Sequence, residues 1–122
     1  MTADRHETIL VVEDDEHLRG LLSLALHSEG FHTHEASDGL GAILILDRAS
    51  VDAVVLDIML PGIDGIAVRR EIAAHSPTLP VIIVTGSNVS PDDVGTTYLL
   101  RKPTTPEQVV EAVKQCLPER RP

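Results

Sequence analysis

Aromatic residues are almost missing from this chain. Phe31 and Tyr98 are the whole set, tryptophan is absent, and aromatics are 2% of 122 residues. The core must therefore be aliphatic, and a site that sandwiches a planar cofactor between rings has nothing to build with. Cysteine is nearly absent too. Cys116 stands alone, so no internal disulfide can form, and a reducing compartment is compatible. Its spacing from Val109 and Val113 puts it on the inner face of a helix as an inert thiol. Basic residues are scarce: 10 Lys and Arg stand against 19 Asp and Glu, a formal net charge of −9. That balance argues against broad electrostatic binding of nucleic acid or an anionic membrane, and it suits a cation site. No apolar run approaches the ~20 residues of a membrane-spanning helix. Met1 to Glu7 is polar and Ile9 to Val12 is too short for the core of a signal peptide, so the expected location is the cytoplasm.

What is present is a globular composition, 43% hydrophobic, at the size of one domain. Residues 1–7 read as a frayed start and 118–122 as a tail or linker stub, leaving a single domain over 1–122. The chain is organised around Val54-Val55-Leu56-Asp57, an apolar run that ends in one carboxylate and breaks into Pro61-Gly62. Ile9-Leu10-Val11-Val12 and Val81-Ile82-Ile83-Val84 are equally apolar runs, as expected of strands buried on both faces of a parallel sheet. Phe31 to Ala36 and Tyr98 to Leu100 are weaker and suit the edges. His32 and His34 share one face of the former, but with no third ligand in view they read as solvated edge residues.

Helical patterns separate the strands. Asp15 is a candidate cap for a first helix with Leu18, Leu21, Leu22, Ala25 and Leu26 as its inner stripe, stopped by Gly30. Asp38-Gly39 opens a second that runs through Leu40, Ile43 and Leu44, and Asp64-Gly65 a third with Ile66, Val68, Ile72 and Ala73 as its apolar content. Thr105-Pro106-Glu107-Gln108 is a capping box with proline at the first helical position, ahead of Val109, Val113, Cys116 and Leu117. Residues 87–97 carry Pro91 and Gly95, so a helix between the last two strands is expected to be short or missing. Alternating strands and helices predict an α/β fold: a doubly wound, five-stranded parallel sheet in order 2-1-3-4-5, the flavodoxin-like arrangement.

In such a sheet all strand ends meet on one edge, where ligands bind. Strand one delivers Glu13 and Asp14, strand three Asp57, strand four Thr85 and strand five Lys102. Three carboxylates together repel unless a cation sits among them, and an oxygen-only set selects Mg2+ or a similar hard ion, Mn2+ being the alternative. Thr85 can donate a hydrogen bond and Lys102 brings a point charge, the parts that spread charge over a transferring phosphoryl group. Asp57 is then the nucleophile, giving an aspartyl-phosphate.

The chain resembles a response-regulator receiver domain of two-component signalling over nearly its whole length. Ile9 to Asp14, Leu56 to Gly65, Val84-Thr85-Gly86 and Lys102-Pro103 carry the likeness. The resemblance implies a phosphorylatable signalling domain rather than an enzyme, with intrinsic self-phosphorylation and self-dephosphorylation chemistry. It implies Asp57 as acceptor, with the phosphoryl group coming from a phosphohistidine of a histidine kinase or histidine phosphotransfer domain. It implies Mg2+ held by Asp14, Asp57 and the backbone carbonyl of Met59, with Glu13 acting through water. It implies Thr85 and Lys102 on the phosphoryl oxygens, and a cis bond between Lys102 and Pro103. It brings no nucleic-acid or membrane partner to this chain.

Three departures stand out. The helix between the fourth and fifth strands is curtailed. The place three residues before the lysine, usually a switch aromatic, is Leu99, and Tyr98 comes one residue early, on the other face of the strand. The residue after Lys-Pro, often Phe, is Thr104. The phosphoryl chemistry is thus complete while the readout is altered. Rival classes fit less well. A flavodoxin-like redox protein needs a hydroxyl-rich phosphate loop where Glu13-Asp14-Asp15 stands. A haloacid-dehalogenase-type aspartyl phosphatase needs an acid at Met59. A receiver-like interaction module without phosphoryl turnover has no use for the full set of five residues.

Overall fold

A computed structural model of the chain describes residues 7–57, 65–85, 98–102 and 104–117. Five strands form one sheet: β1 Thr8–Val12, β2 His32–Ala36, β3 Ala53–Asp57, β4 Val81–Thr85 and β5 Leu99–Arg101. Every pairing is parallel and the order is β2-β1-β3-β4-β5. Four described helices accompany it: α1 Glu16–Ser28, α2 Gly39–Arg48, α3 Gly65–His75 and α4 Pro106–Cys116. The expected curtailed helix over residues 87–97 and the expected cis bond between Lys102 and Pro103 both lie outside the described residues.

Strand alternation divides the core in two. Successive strand side chains point to opposite faces. Leu10, Val12, Val54, Leu56, Val81 and Ile83 pack with Ala42 and Leu46 of α2 and Val68 and Ile72 of α3. Ile9, Val11, Ala53, Val55, Ile82 and Val84 pack with Leu22 and Leu26 of α1 and Val109, Val110 and Val113 of α4. The continuous apolar runs of β1, β3 and β4 are thereby explained: no position in them faces water. β2 shows the edge signature instead, with His32, His34 and Glu35 exposed.

The helix ends follow local rules. Asp15 Oδ1 accepts from the N–H groups of His17 and Leu18 at 3.0 and 3.3 Å, capping α1. Gly30, at φ 92°, closes it: Gly30 N–H reaches His27 O and Phe31 N–H reaches Leu26 O, a Schellman stop that seats Phe31 in the core. Thr105 and Gln108 form the full capping box of α4 with Pro106 at its start.

Packing decides the facing of two helices, and one of them differs from expectation. Leu40 and Leu44 of α2 are exposed, at 61% and 46%, and the inward residues are Ala42 and Leu46, with Ile43 partly buried. α2 is apolar nearly all round, so periodicity leaves its facing undetermined, and packing chooses the small Ala42 for close approach to the sheet. On α1, Leu21 is exposed rather than inward, beside exposed Leu24, while Leu22 and Leu26 fill the core with Leu18 and Ala25 partly buried. Cys116 is only partly buried. Burial still pushes its thiol up to about 11, as expected of an inert group.

Candidate functional site

β1 runs one hydrogen bond past its last strand residue. Glu13 N–H donates to Ala36 O at 3.0 Å, locking Glu13 at the end of the sheet. The acidic tripeptide then splits into three environments. Glu13 is buried, Asp14 is exposed, and Asp15 turns away as the cap of α1 while its own N–H donates to Glu13 Oε2 at 3.3 Å. Asp57 is the last residue of β3 and Thr85 the last of β4. Their exposures of 3% and 0% place polar groups where the core meets solvent without leaving them in water. Lys102 follows β5, and its N–H donates to Thr85 O at 2.8 Å, which draws the ends of β4 and β5 together.

The side chains converge. Glu13, Asp14 and Asp57 each offer a carboxylate oxygen, all within 4.8 Å of one another. Lys102 Nζ donates to Asp57 Oδ2 at 3.1 Å and stands 3.7 Å from Glu13 Oε1. Three carboxylates against one ammonium leave the group two charges negative when all are ionised. The electrostatics respond accordingly. Burial, then a hydrogen bond with Asp14 and the charge and hydrogen bond of Asp57, push Glu13 up to about 7. Partial burial draws Lys102 down, but the hydrogen bond to Asp57 and the charges of Asp57, Glu13 and Asp14 outweigh it and hold the ammonium above its ordinary range.

This donor set fits a hard divalent cation. It is all oxygen, it gathers more negative charge than Lys102 neutralises, and two of its three carboxylates are buried where unbalanced charge is costly. Of the expected site residues, Glu13, Asp14, Asp57 and Lys102 are thus brought together side chain to side chain. Thr85 is brought to the same edge, joined to Lys102 through the backbone. Met59 lies outside the described residues. Tyr98 packs among the residues on the α1 and α4 side while Leu99 packs on the α2 and α3 side, as strand alternation predicts.

Arg19 escaped the reading of the sequence. Its Nη1 donates to Glu13 O at 2.9 Å and its Nε to Glu35 Oε1 at 3.2 Å. The available signal was its place one turn after the Asp15 cap, where a long side chain reaches back over the start of the helix.

Comparison with known proteins points one way. The family model of the response regulator receiver domain matches residues 9–114. The sensory transduction protein RegX3 of Mycobacterium tuberculosis is 35% identical over 115 residues, covering 90% of this chain and 50% of RegX3. The chain therefore spans about half the length of the curated relatives it matches. The crystal structure of NtrX from Brucella abortus superposes with a TM-score of 0.84 at 30% identity, over 93% of this chain and 28% of that one. Chemotaxis response regulator CheY4 of Vibrio cholerae superposes at 0.83 over 93% of this chain and 100% of its own, and at 24% identity it speaks for the fold.

Proposed function

This chain belongs to the response regulator receiver domain family, signalling domains with a phospho-acceptor role in two-component systems, and from that premise we propose that Asp57 is its phospho-acceptor. The single observation that carries the reading is the convergence of Glu13, Asp14 and Asp57 with Lys102 at the sheet edge. The donor is a phosphohistidine on a histidine kinase or histidine phosphotransfer domain. A carboxylate oxygen of Asp57 attacks phosphorus, the phosphorus–nitrogen bond breaks, and the electron pair stays on the imidazole nitrogen. Lys102 and the Thr85 hydroxyl then bond the phosphoryl oxygens. Water attack on phosphorus later returns the free carboxylate.

Mg2+, or Mn2+ in its place, held by Glu13, Asp14 and Asp57 with the Met59 carbonyl, would supply the charge that offsets the phosphoryl oxygens. The donor has a surface to approach: exposed Leu21 and Leu24 of α1 line an open groove with Asp15, Glu16 and Gly20. Tyr98 packs on the α1–α4 side of the sheet, opposite Leu99, a placement that favours an output route other than a Thr85–Tyr98 relay. With no described helix long and apolar enough to cross a membrane, a cytoplasmic setting suits both the donor and the single free cysteine.

Labelling tests the proposal. Acetyl phosphate with Mg2+ should phosphorylate the chain on one site, and Asp57→Asn should abolish that labelling, because the amide is not a nucleophile toward phosphorus. Labelling of the variant at the parent level would move the acceptor elsewhere. A parent chain inert to both acetyl phosphate and beryllofluoride would favour an interaction module without phosphoryl turnover.

A further inference from the structure

The Arg19 side chain does two things at once, and they join three elements. It starts on α1, its Nη1 holds the carbonyl of Glu13 just past β1, and its Nε holds the carboxylate of Glu35 on the edge strand β2. The backbone of Glu13 is therefore held on both sides, its N–H by Ala36 O and its carbonyl by Arg19. The next fixed point is Asp15, whose side chain caps α1 and whose carbonyl accepts from Arg19 N–H at 2.8 Å. Between these anchors the turn that presents Glu13 and Asp14 has little freedom.

That restraint has work to do in this location. Glu13, Asp14 and Asp57 crowd their carboxylates together, and Lys102 offsets only one of the three charges, so the remainder push the strand end and the turn apart. A guanidinium whose side chain is 17% exposed loses less to solvent screening than a surface charge does, and its fork can satisfy a carbonyl and a carboxylate in different directions. Lysine has a single ammonium head and cannot reproduce that span. Groups behind a metal's direct ligands commonly change metal affinity by about 10- to 100-fold when removed.

We propose that Arg19, braced by Glu35, is a positioning residue that holds the Glu13–Asp14 turn in the shape that accepts the divalent ion. The inference rests on reading Glu13, Asp14 and Asp57 as the metal site.

Calorimetric Mg2+ titration of the full chain tests it. Arg19→Gln should weaken Mg2+ binding roughly tenfold, and Arg19→Lys by nearly as much. Glu35→Gln should weaken it about two- to threefold, and should add nothing once Arg19 is gone, since it acts only through Arg19. Amide exchange gives a second readout without metal: in Arg19→Gln the Glu13 to Asp15 amides should exchange faster while those of β3 and β4 hold their rates. Parent-level Mg2+ affinity in Arg19→Gln, with the parent chain binding normally, overturns the positioning role and leaves the metal site standing. A parent chain that takes up no Mg2+ overturns the metal site and this role with it. Should Arg19→Gln fail to fold, Glu35→Gln decides alone: its carboxylate is 44% exposed and dispensable to the core, and unchanged affinity in that variant overturns the role.

Discussion

The body of the sheet and its C-terminal rim obey opposite rules. In the body, every residue of β3 and β4 short of Asp57 and Thr85 is aliphatic and buried, and each contributes to stability simply by leaving water. At the rim, the next position along each strand is a carboxylate or a hydroxyl, equally buried, whose burial opposes folding. The rim is held in place by what lies under it and by cross-links such as Lys102 to Asp57 and Arg19 to Glu13. The lesson is a division of labour: the body supplies the free energy that keeps mutually repelling groups within a few ångströms of one another.

The sharpest way to break this contrast is to cut into the body. Ile83 is fully buried among the β-strand and α2–α3 side chains. Ile83→Ala should lower unfolding stability by about 2–5 kcal/mol, the usual cost of lost transfer free energy plus a cavity. A loss under about 1 kcal/mol in a urea titration would mean the body is not the source of stability assumed here.

The rim should answer to pH where the body cannot. Glu13 moves from its ordinary 4.5 to about 7 on folding, so the folded chain takes up a proton between those values. The stability tied to protonated Glu13 is fully present below about 4.5 and is lost as pH rises through about 7. Without Mg2+, the melting temperature should fall between about pH 5 and about pH 8, and Glu13→Gln should flatten that slope. Saturating Mg2+ should flatten it as well, because cation binding favours the ionised carboxylate. Equal slopes for parent and Glu13→Gln would detach the effect from this residue.

The smallest effect tests a buried polar side chain on α1, the helix that covers one face of the body. Ser23 is buried on α1, and its Oγ has no hydrogen-bond partner among the described residues. Ser23→Ala removes an unsatisfied hydroxyl and improves helix propensity, so it should stabilise the chain by about 1 kcal/mol in the same urea titration. A loss of stability would show that the hydroxyl is satisfied in solution.

Much of this was readable in advance for identifiable reasons. Gly30 and the Thr105–Gln108 box mark helix ends through chemistry confined to a few neighbouring residues, and both stand as expected. Asp57 and Glu13 were legible because an apolar run that stops at an acid marks a strand end, and parallel strands bring their ends to one edge. Arg19 was not legible, since its partners Glu13 and Glu35 become neighbours only once β1 pairs with β2.

By itself, then, the order of residues determined the strands, the helix caps, the parallel topology and which side chains arrive at the sheet edge, because each depends on local periodicity or on strand direction. Tertiary structure alone decided that α2 turns Ala42 and Leu46 inward and leaves Leu40 and Leu44 in solvent, that Glu13 is buried while Asp14 is not, and that Arg19 hydrogen-bonds both the Glu13 carbonyl and Glu35. Those outcomes depend on how closely two elements can approach and on which distant group fills the remaining space, quantities that exist only after the chain has packed.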